Sequence, residues 1–276
     1  MPPEPAERKG STVSRTAGYQ PLPPGGAAHR WWSTHAAEYL AEHSGALGDD
    51  ELLWCPEGLY ERDAHLLGAV AGLDVLEVGA GAAQGSRWCA AQGARAVATD
   101  IAIGMLAQAA RLNASSPTPV PLVAADARAL PFADAAFDVA FTAFGALPFV
   151  PDADRVHREV ARVLRPGGRW VCSVVHPIRW AFPDDPGERG LTAQRSYFDR
   201  TPYVETDDAG QVEYAEHHRT LGDHVADVVA AGLQLERLVE PQWPPGRTEV
   251  WGGWGPVRGA FLPGTLILCT RKPAAR

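Results

Sequence analysis

A carboxylate and three glycines stand at the end of an apolar run in Val75-Leu76-Glu77-Val78-Gly79-Ala80-Gly81-Ala82-Ala83-Gln84-Gly85. Glycine lets a backbone turn sharply and approach a ligand closely, so this stretch reads as the cradle of a small molecule. Downstream come Asp100, at the end of the next expected strand, then Asp126 within AADARALPF, and His176 before a proline. Carboxylates so placed accept strong hydrogen bonds from ligand hydroxyl and amino groups; helix caps and turns are their competing use. His176 is the candidate catalytic base. It ends the fifth expected strand, at the sheet edge where open α/β folds bind ligands, and an unperturbed imidazole titrates near ~6.5. A histidine before proline also serves simply to hold its own loop.

Two nucleotides compete for the glycine loop. A dinucleotide such as NAD asks for G-x-G-x-x-G, with its pyrophosphate on the following helix N-terminus. Here Gln84 occupies the third glycine position and Gly85 comes one place late. Glu77 is a second objection, because a carboxylate sits badly beside pyrophosphate. It suits a ligand that carries an ammonium and a sulfonium, which points to S-adenosylmethionine. Asp100 discriminates little, since an acidic residue there also fits the ribose of NAD.

The elements that must position these groups alternate. Apolar strands are expected at 73–78, 95–99, 120–125, 137–142 and 169–175, with helices between them, and Gly93 as a C-terminal stop. That rhythm argues for a doubly wound, mostly parallel sheet covered on both faces. Ahead of it, Trp32, Ala36 and Leu40 share one helical stripe with Trp31, His35, Tyr39 and His43 on the next, and a second helix is expected over 56–70. Asp152 is placed to cap a helix bearing Val156, Val160, Val163 and Leu164 on one face. Residues 177–219 break the rhythm with Pro, Asp and Tyr, and read as an insertion with strand character at 197–205 and 211–214. A helix at 221–231 and strands at 233–239 and 264–270 close the chain; with no helix between the last two, the final strand is free to run antiparallel.

Composition bounds the rest. The chain has 276 residues, 46% hydrophobic, and 25 Lys plus Arg against 33 Asp plus Glu, a net charge of -8. Such a field gives a phosphate backbone no attraction, so nucleic acid is disfavoured as a partner. Cys55, Cys89, Cys172 and Cys269 lie far apart and suggest neither zinc nor a disulfide framework, so no metal is expected. No apolar run approaches the ~20 residues of a membrane span, and the N-terminus lacks a signal-peptide core; a soluble, cytoplasmic protein is expected, and a homodimer is compatible with the reading. Residues 1–29, rich in Pro, Gly, Ser and charge, read as a disordered arm.

In its ordered motifs the sequence resembles the Rossmann-like, class I S-adenosylmethionine-dependent methyltransferases of the actinobacterial small-molecule type. Glu77-x-Gly79-x-Gly81 looks like their first motif. Asp100 matches their ribose-binding acid and Asp126 their acid near the adenine amino group. FDVAFTAFGALPFV resembles their fourth strand and LRPGGRWVCSV their fifth. The resemblance covers about residues 73–175, and it implies a seven-stranded sheet with an antiparallel last strand. It implies Tyr39, Glu77, Gly79, Ala80, Gly81, Asp100, Ile101, Asp126, Ala127 and Ala143 as cofactor neighbours. Acceptor contacts are expected from Trp31, Trp54, His176 and Tyr197, with core packing the alternative for the aromatics.

A methyltransferase domain over 30–276 follows, with a helical cap at 30–72, a cofactor-binding core at 73–176, a cap insertion at 177–219 and the rest of the sheet at 220–276. The activity implied is methyl transfer to a small-molecule acceptor, with in-line attack on the sulfonium methyl giving S-adenosylhomocysteine. A protein that binds the same cofactor for a non-methylating reaction, a binding module and an NAD oxidoreductase are the rivals.

Overall fold

A computed structural model describes residues 16–21 and 28–274. Chain order begins with β1 (Thr16–Tyr19), α1 (Ala28–Thr34), α2 (Ala36–Leu47) and α3 (Glu61–Ala64). The core follows as β2 (Asp74–Val78), α4 (Gln84–Ala91), β3 (Arg95–Asp100), α5 (Ile103–Ser115), β4 (Leu122–Ala124), β5 (Phe137–Ala143), α6 (Ala153–Val163) and β6 (Leu164–Val175). The chain continues through β7 (Tyr203–Thr206), β8 (Val212–Glu216), α7 (Leu221–Ala230), β9 (Gln234–Val239), α8 (Pro256–Gly259) and β10 (Thr265–Arg271).

The main sheet has seven strands in the order β4-β3-β2-β5-β6-β10-β9. Its first five neighbours pair in parallel, and β10 runs antiparallel to both β6 and β9. This is the expected doubly wound sheet. Side chains alternate between two cores, as period-2 strands require: Val75, Phe141, Val171 and Ile267 pack on one face, Leu76, Ala140, Trp170 and Leu268 on the other.

Three expectations need correction. Within the stretch read as a disordered arm, Thr16–Tyr19 form β1 and pair antiparallel with β7, which with β8 makes a separate three-stranded sheet. Alternation in so short a strand is hidden by the Pro and Gly around it; residues 1–15 and 22–27 lie outside the described residues. The helix expected over 56–70 shrinks to α3. Glu61, 1% exposed, turns its carboxylate onto the N–H groups of Leu66 and Leu67 and onto the Trp54 indole, and His65 takes a left-handed backbone. Side-chain acceptors thus replace the helical ladder. Asp152 does begin α6 but leaves its backbone uncapped, because its carboxylate pairs with Arg128 and Arg155.

A second buried carboxylate ties the N-terminal segment to the sheet. Glu57, 2% exposed, accepts from the Gly264 N–H at 3.0 Å and the Thr265 hydroxyl at 2.7 Å.

Candidate active site

Three alternate left-handed positions, Gly79, Gly81 and Ala83, fold the chain back between β2 and α4. A Cβ at Gly79 would lie 2.7 Å from the Ala146 nitrogen, and one at Gly145 would overlap the Gly79 carbonyl. Glycine at both places lets the loops after β2 and β5 touch. Beyond Gly145, Phe144 and Ala146 also hold positive φ, and the Gly145 carbonyl accepts from the Leu147 N–H at 2.6 Å. Backbone strain of this kind persists only where the surroundings hold it, and it clusters at ligand sites.

Glu77 lies beneath this loop, 5% exposed. Its Oε2 accepts from the Ser86 N–H at 2.7 Å and the Ser86 hydroxyl at 2.6 Å, so it caps the first turn of α4. Burial pushes its carboxyl up to about 7, against the pull of the Ser86 donors and Arg87. Why the third glycine comes one place late is now plain: a Cβ at 85 would stand 2.7 Å from Glu77 Oε1.

Asp100 closes the other side. Its carboxylate accepts from the Gly81 N–H at 2.8 Å and from the Ala102 N–H at 2.7 Å, and burial raises its pKa despite these donors. Ile101, beside it, is 45% exposed, an apolar flank at the rim. Tyr39 and Trp32 pack on Ala102 and Met105, and Met105 reaches 4.0 Å from the Cβ position of Gly81. The N-terminal helices therefore approach the glycine loop through Met105; burial pushes the Tyr39 phenol up to about 12. Ala80 donates to the Thr99 carbonyl, Ala127 packs into the α6-side core, and Ala143 ends β5 beside the loop.

Asp126 follows Ala125, whose N–H donates to the Asp100 carbonyl at 3.0 Å. Arg128, which sequence reasoning passed over, grips it through its own N–H and a guanidinium at 2.7 Å, then reaches Asp152. That side-chain pairing holds the Asp126 carboxyl below its ordinary range. The signal was present, two residues along in the same motif.

The expected acceptor residues separate. His176 is 7% exposed and spends both ring nitrogens: Nδ1 accepts from the Ile178 N–H, which leaves the proton on Nε2 to donate to Glu240 at 2.9 Å. Burial lowers its pKa. With no free lone pair the ring is not placed as a base; it caps the short helical turn that follows β6. Trp54 does not line a cavity either. It is fully buried, edge-on to Phe141, with its indole bonded to Glu61. The Tyr197 hydroxyl accepts from the Leu221 N–H and anchors the insertion to α7. Trp31 lies in a run of rings that includes Trp32, Phe149 and Tyr214.

Two residues of the insertion were missed. Tyr214 and Glu216 of β8 join that run, and their pattern, Tyr-x-Glu, occurs again as Tyr203-x-Glu205 in β7. A repeat of that kind on two short strands was legible. A cavity of about 20 Å³ beside Glu216 is lined also by Leu147, Pro148, Trp180, Arg219 and His224. A larger one, about 320 Å³, opens at the opposite end of the sheet around Arg95, Val120 and Phe137, away from the glycine loop.

A seven-stranded sheet with one reversed strand, and an acidic glycine loop on its carboxyl edge, is the architecture of the Rossmann-like class I methyltransferase fold. Residues 76–172 match the family described as "Methyltransferase domain". A demethylmenaquinone methyltransferase of Mycolicibacterium vanbaalenii is 46% identical over 109 residues, 39% of this chain and 45% of that protein. The chain thus matches less than half the length of that curated relative. An S-adenosylmethionine dependent methyltransferase from Mesorhizobium loti superposes with a TM-score of 0.56 at 25% identity, over 75% of this chain and 94% of its own. In fold the chain is also similar to the Burkholderia thailandensis 1,6-didemethyltoxoflavin-N1-methyltransferase, at a TM-score of 0.55, 20% identity and coverage of 94% and 96%. Among the described residues no helix is long and apolar enough to cross a membrane.

Proposed function

We propose that this chain binds S-adenosylmethionine over the Gly79–Gly81 loop and methylates a small-molecule acceptor. One observation carries the reading. In a dinucleotide site the N–H groups at the helix N-terminus receive the pyrophosphate; here the Glu77 carboxylate already occupies the Ser86 N–H and hydroxyl. A phosphate would meet a negative charge where it needs donors, whereas the ammonium of an amino acid end meets its complement. The residues fit the rest of that ligand: each Asp100 carboxylate oxygen, held by one backbone N–H, keeps acceptor capacity for a ribose diol, and Ile101 offers an apolar flank for a base.

When bound, S-adenosylmethionine supplies a methyl group activated by a cationic sulfur. The chain's own part is positioning. Tyr39 and Trp32, packed on Met105 beside the loop, exclude water and restrict the reactants to near-attack geometry. We assign a reducing compartment, the cytoplasm, on the strength of four buried free cysteines.

Two measurements test this. Calorimetry should show S-adenosylhomocysteine binding and no competition by NAD; displacement by NAD refutes the assignment. Labelled methyl from the donor should appear in a small-molecule product. Tight binding without any transfer would instead favour a non-methylating protein.

A further inference from the structure

The face of the small sheet turned toward the N-terminal helices carries a chemistry of its own. Registered pairs Tyr203–Glu216 and Glu205–Tyr214 put two tyrosines and two glutamates on that face, with Val204 and Ala215 on the other. Both carboxylates are 9% exposed. Tyr214 Oη donates to Glu216 Oε1 at 2.5 Å, Arg179 donates to Glu216 Oε2 at 3.1 Å, and Tyr203 Oη donates to Glu205 at 2.9 Å. Among the described residues Glu205 has no ion pair, and Arg179 is shared with Asp184. Glu216 is thus paired with Arg179, whereas the Glu205 carboxylate has the Tyr203 hydroxyl and, among the described residues, no guanidinium paired with it. Burying a carboxylate without a counter-charge is costly.

This face is joined to the glycine loop in two ways. By backbone, the His217 N–H donates to the Pro148 carbonyl at 2.8 Å, in the loop that touches Gly79. By side chain, rings run from Tyr39 to Trp32 (5.1 Å), Phe149 (5.4 Å) and Tyr214 (5.9 Å), with Trp31 5.5 Å from Tyr214. Unmet polar groups collect along it: among the described residues the buried Nε1 atoms of Trp31 and Trp32 have no partner. His224, 6% exposed, lines the cavity beside Glu216 and leaves its Nδ1 unpartnered. Aromatic faces around a surplus carboxylate attract cations and repel anions.

Resting on the methyltransferase reading, we propose that the acceptor is an amine, taken as its ammonium against Tyr214, Glu216 and Glu205, and that Glu216 receives its proton. The ammonium N–H bond breaks and its electron pair stays on nitrogen. That proton passes to Tyr214 Oη while the phenol's own proton passes to Glu216 Oε1. The carboxylate becomes the acid, the phenol is restored, and the amine lone pair is free for alkylation.

Titration calorimetry with benzylamine, benzyl alcohol and benzoate tests this, with and without saturating S-adenosylhomocysteine. Benzylamine should bind at least tenfold more tightly than benzyl alcohol, and benzoate should not bind. Glu216→Gln and Glu205→Gln should each weaken benzylamine at least tenfold and leave S-adenosylhomocysteine affinity unchanged. Tyr214→Phe, the gentlest change for folding, should preserve benzylamine binding within a few fold but slow amine methylation at least tenfold. Equal binding of amine and alcohol, preference for benzoate, or no benzylamine binding overturns the proposal. Failure of S-adenosylhomocysteine to bind counts against the methyltransferase reading, and the amine series without it still decides this one.

Discussion

In a Glu77→Gln variant the side chain keeps its length and an oxygen for the Ser86 donors but loses its charge. The carboxyl is pushed from 4.5 to about 7 in the folded protein, so between those values the folded state holds a proton that the unfolded state has released. Stability then falls as pH rises through that window, and the loss is complete above about 7. Its size is about 3 kcal/mol, at roughly 1.4 kcal/mol for each tenfold change in proton affinity. Gln mimics the protonated form at every pH. The variant should therefore match the wild type at pH 4 and exceed it at pH 8 by up to about 3 kcal/mol, read from urea unfolding at both values. Ligand binding should move the other way, with S-adenosylhomocysteine affinity at pH 8 about tenfold lower or worse, the loss of one charge-assisted bond. Parallel pH profiles for the two proteins, or a variant weaker than wild type at pH 8, would refute the account of a strained charge kept for its ligand.

Asp100→Ala should weaken S-adenosylhomocysteine binding by about 1.5–3 kcal/mol in calorimetry, the value of hydrogen bonds to a charged group; unchanged affinity would remove Asp100 from the ribose site. His176→Gln should leave turnover within a few fold and lower the melting temperature slightly, since it removes a helical cap worth about 1 kcal/mol; a collapse in turnover with an altered pH profile would restore the ring as a base. Trp54→Phe should destabilise the fold by about 1–3 kcal/mol, because Glu61 loses a buried donor, without changing the Michaelis constant for the acceptor; a large rise in that constant would return Trp54 to the pocket.

The parallel sheet was legible because its strands are apolar runs separated by helical spacing, and the signal is repeated five times. The glycine loop was legible through Glu77 and the misplaced Gly85, although the reason, room for a carboxylate under a helix, appears only in three dimensions. What failed depended on single side-chain polar contacts, most of them between residues only two to seven apart and without any periodic signature. Nothing in the sequence pattern says that Glu61 would break the helix over 56–70, that Glu240 and Ile178 would occupy both nitrogens of His176, or that Trp54 would turn inward to Glu61. The small sheet was half visible: β7 and β8 fall close to the expected strand segments, but β1 reaches them from far away in sequence, and pairing across such a gap leaves no periodic trace.

The Glu57 contact with Gly264 and Thr265 spans 207 and 208 residues. During synthesis at roughly 5–20 residues per second, the glutamate waits about 10–40 s for its partners to exist. Until β10 inserts between β6 and β9, Glu57 has neither the Gly264 N–H nor the Thr265 hydroxyl to turn to. The 51–60 segment thus settles late although it is made early. An amide-exchange pulse during refolding should find β2 through β6 protected first and the 51–60 segment protected together with β10.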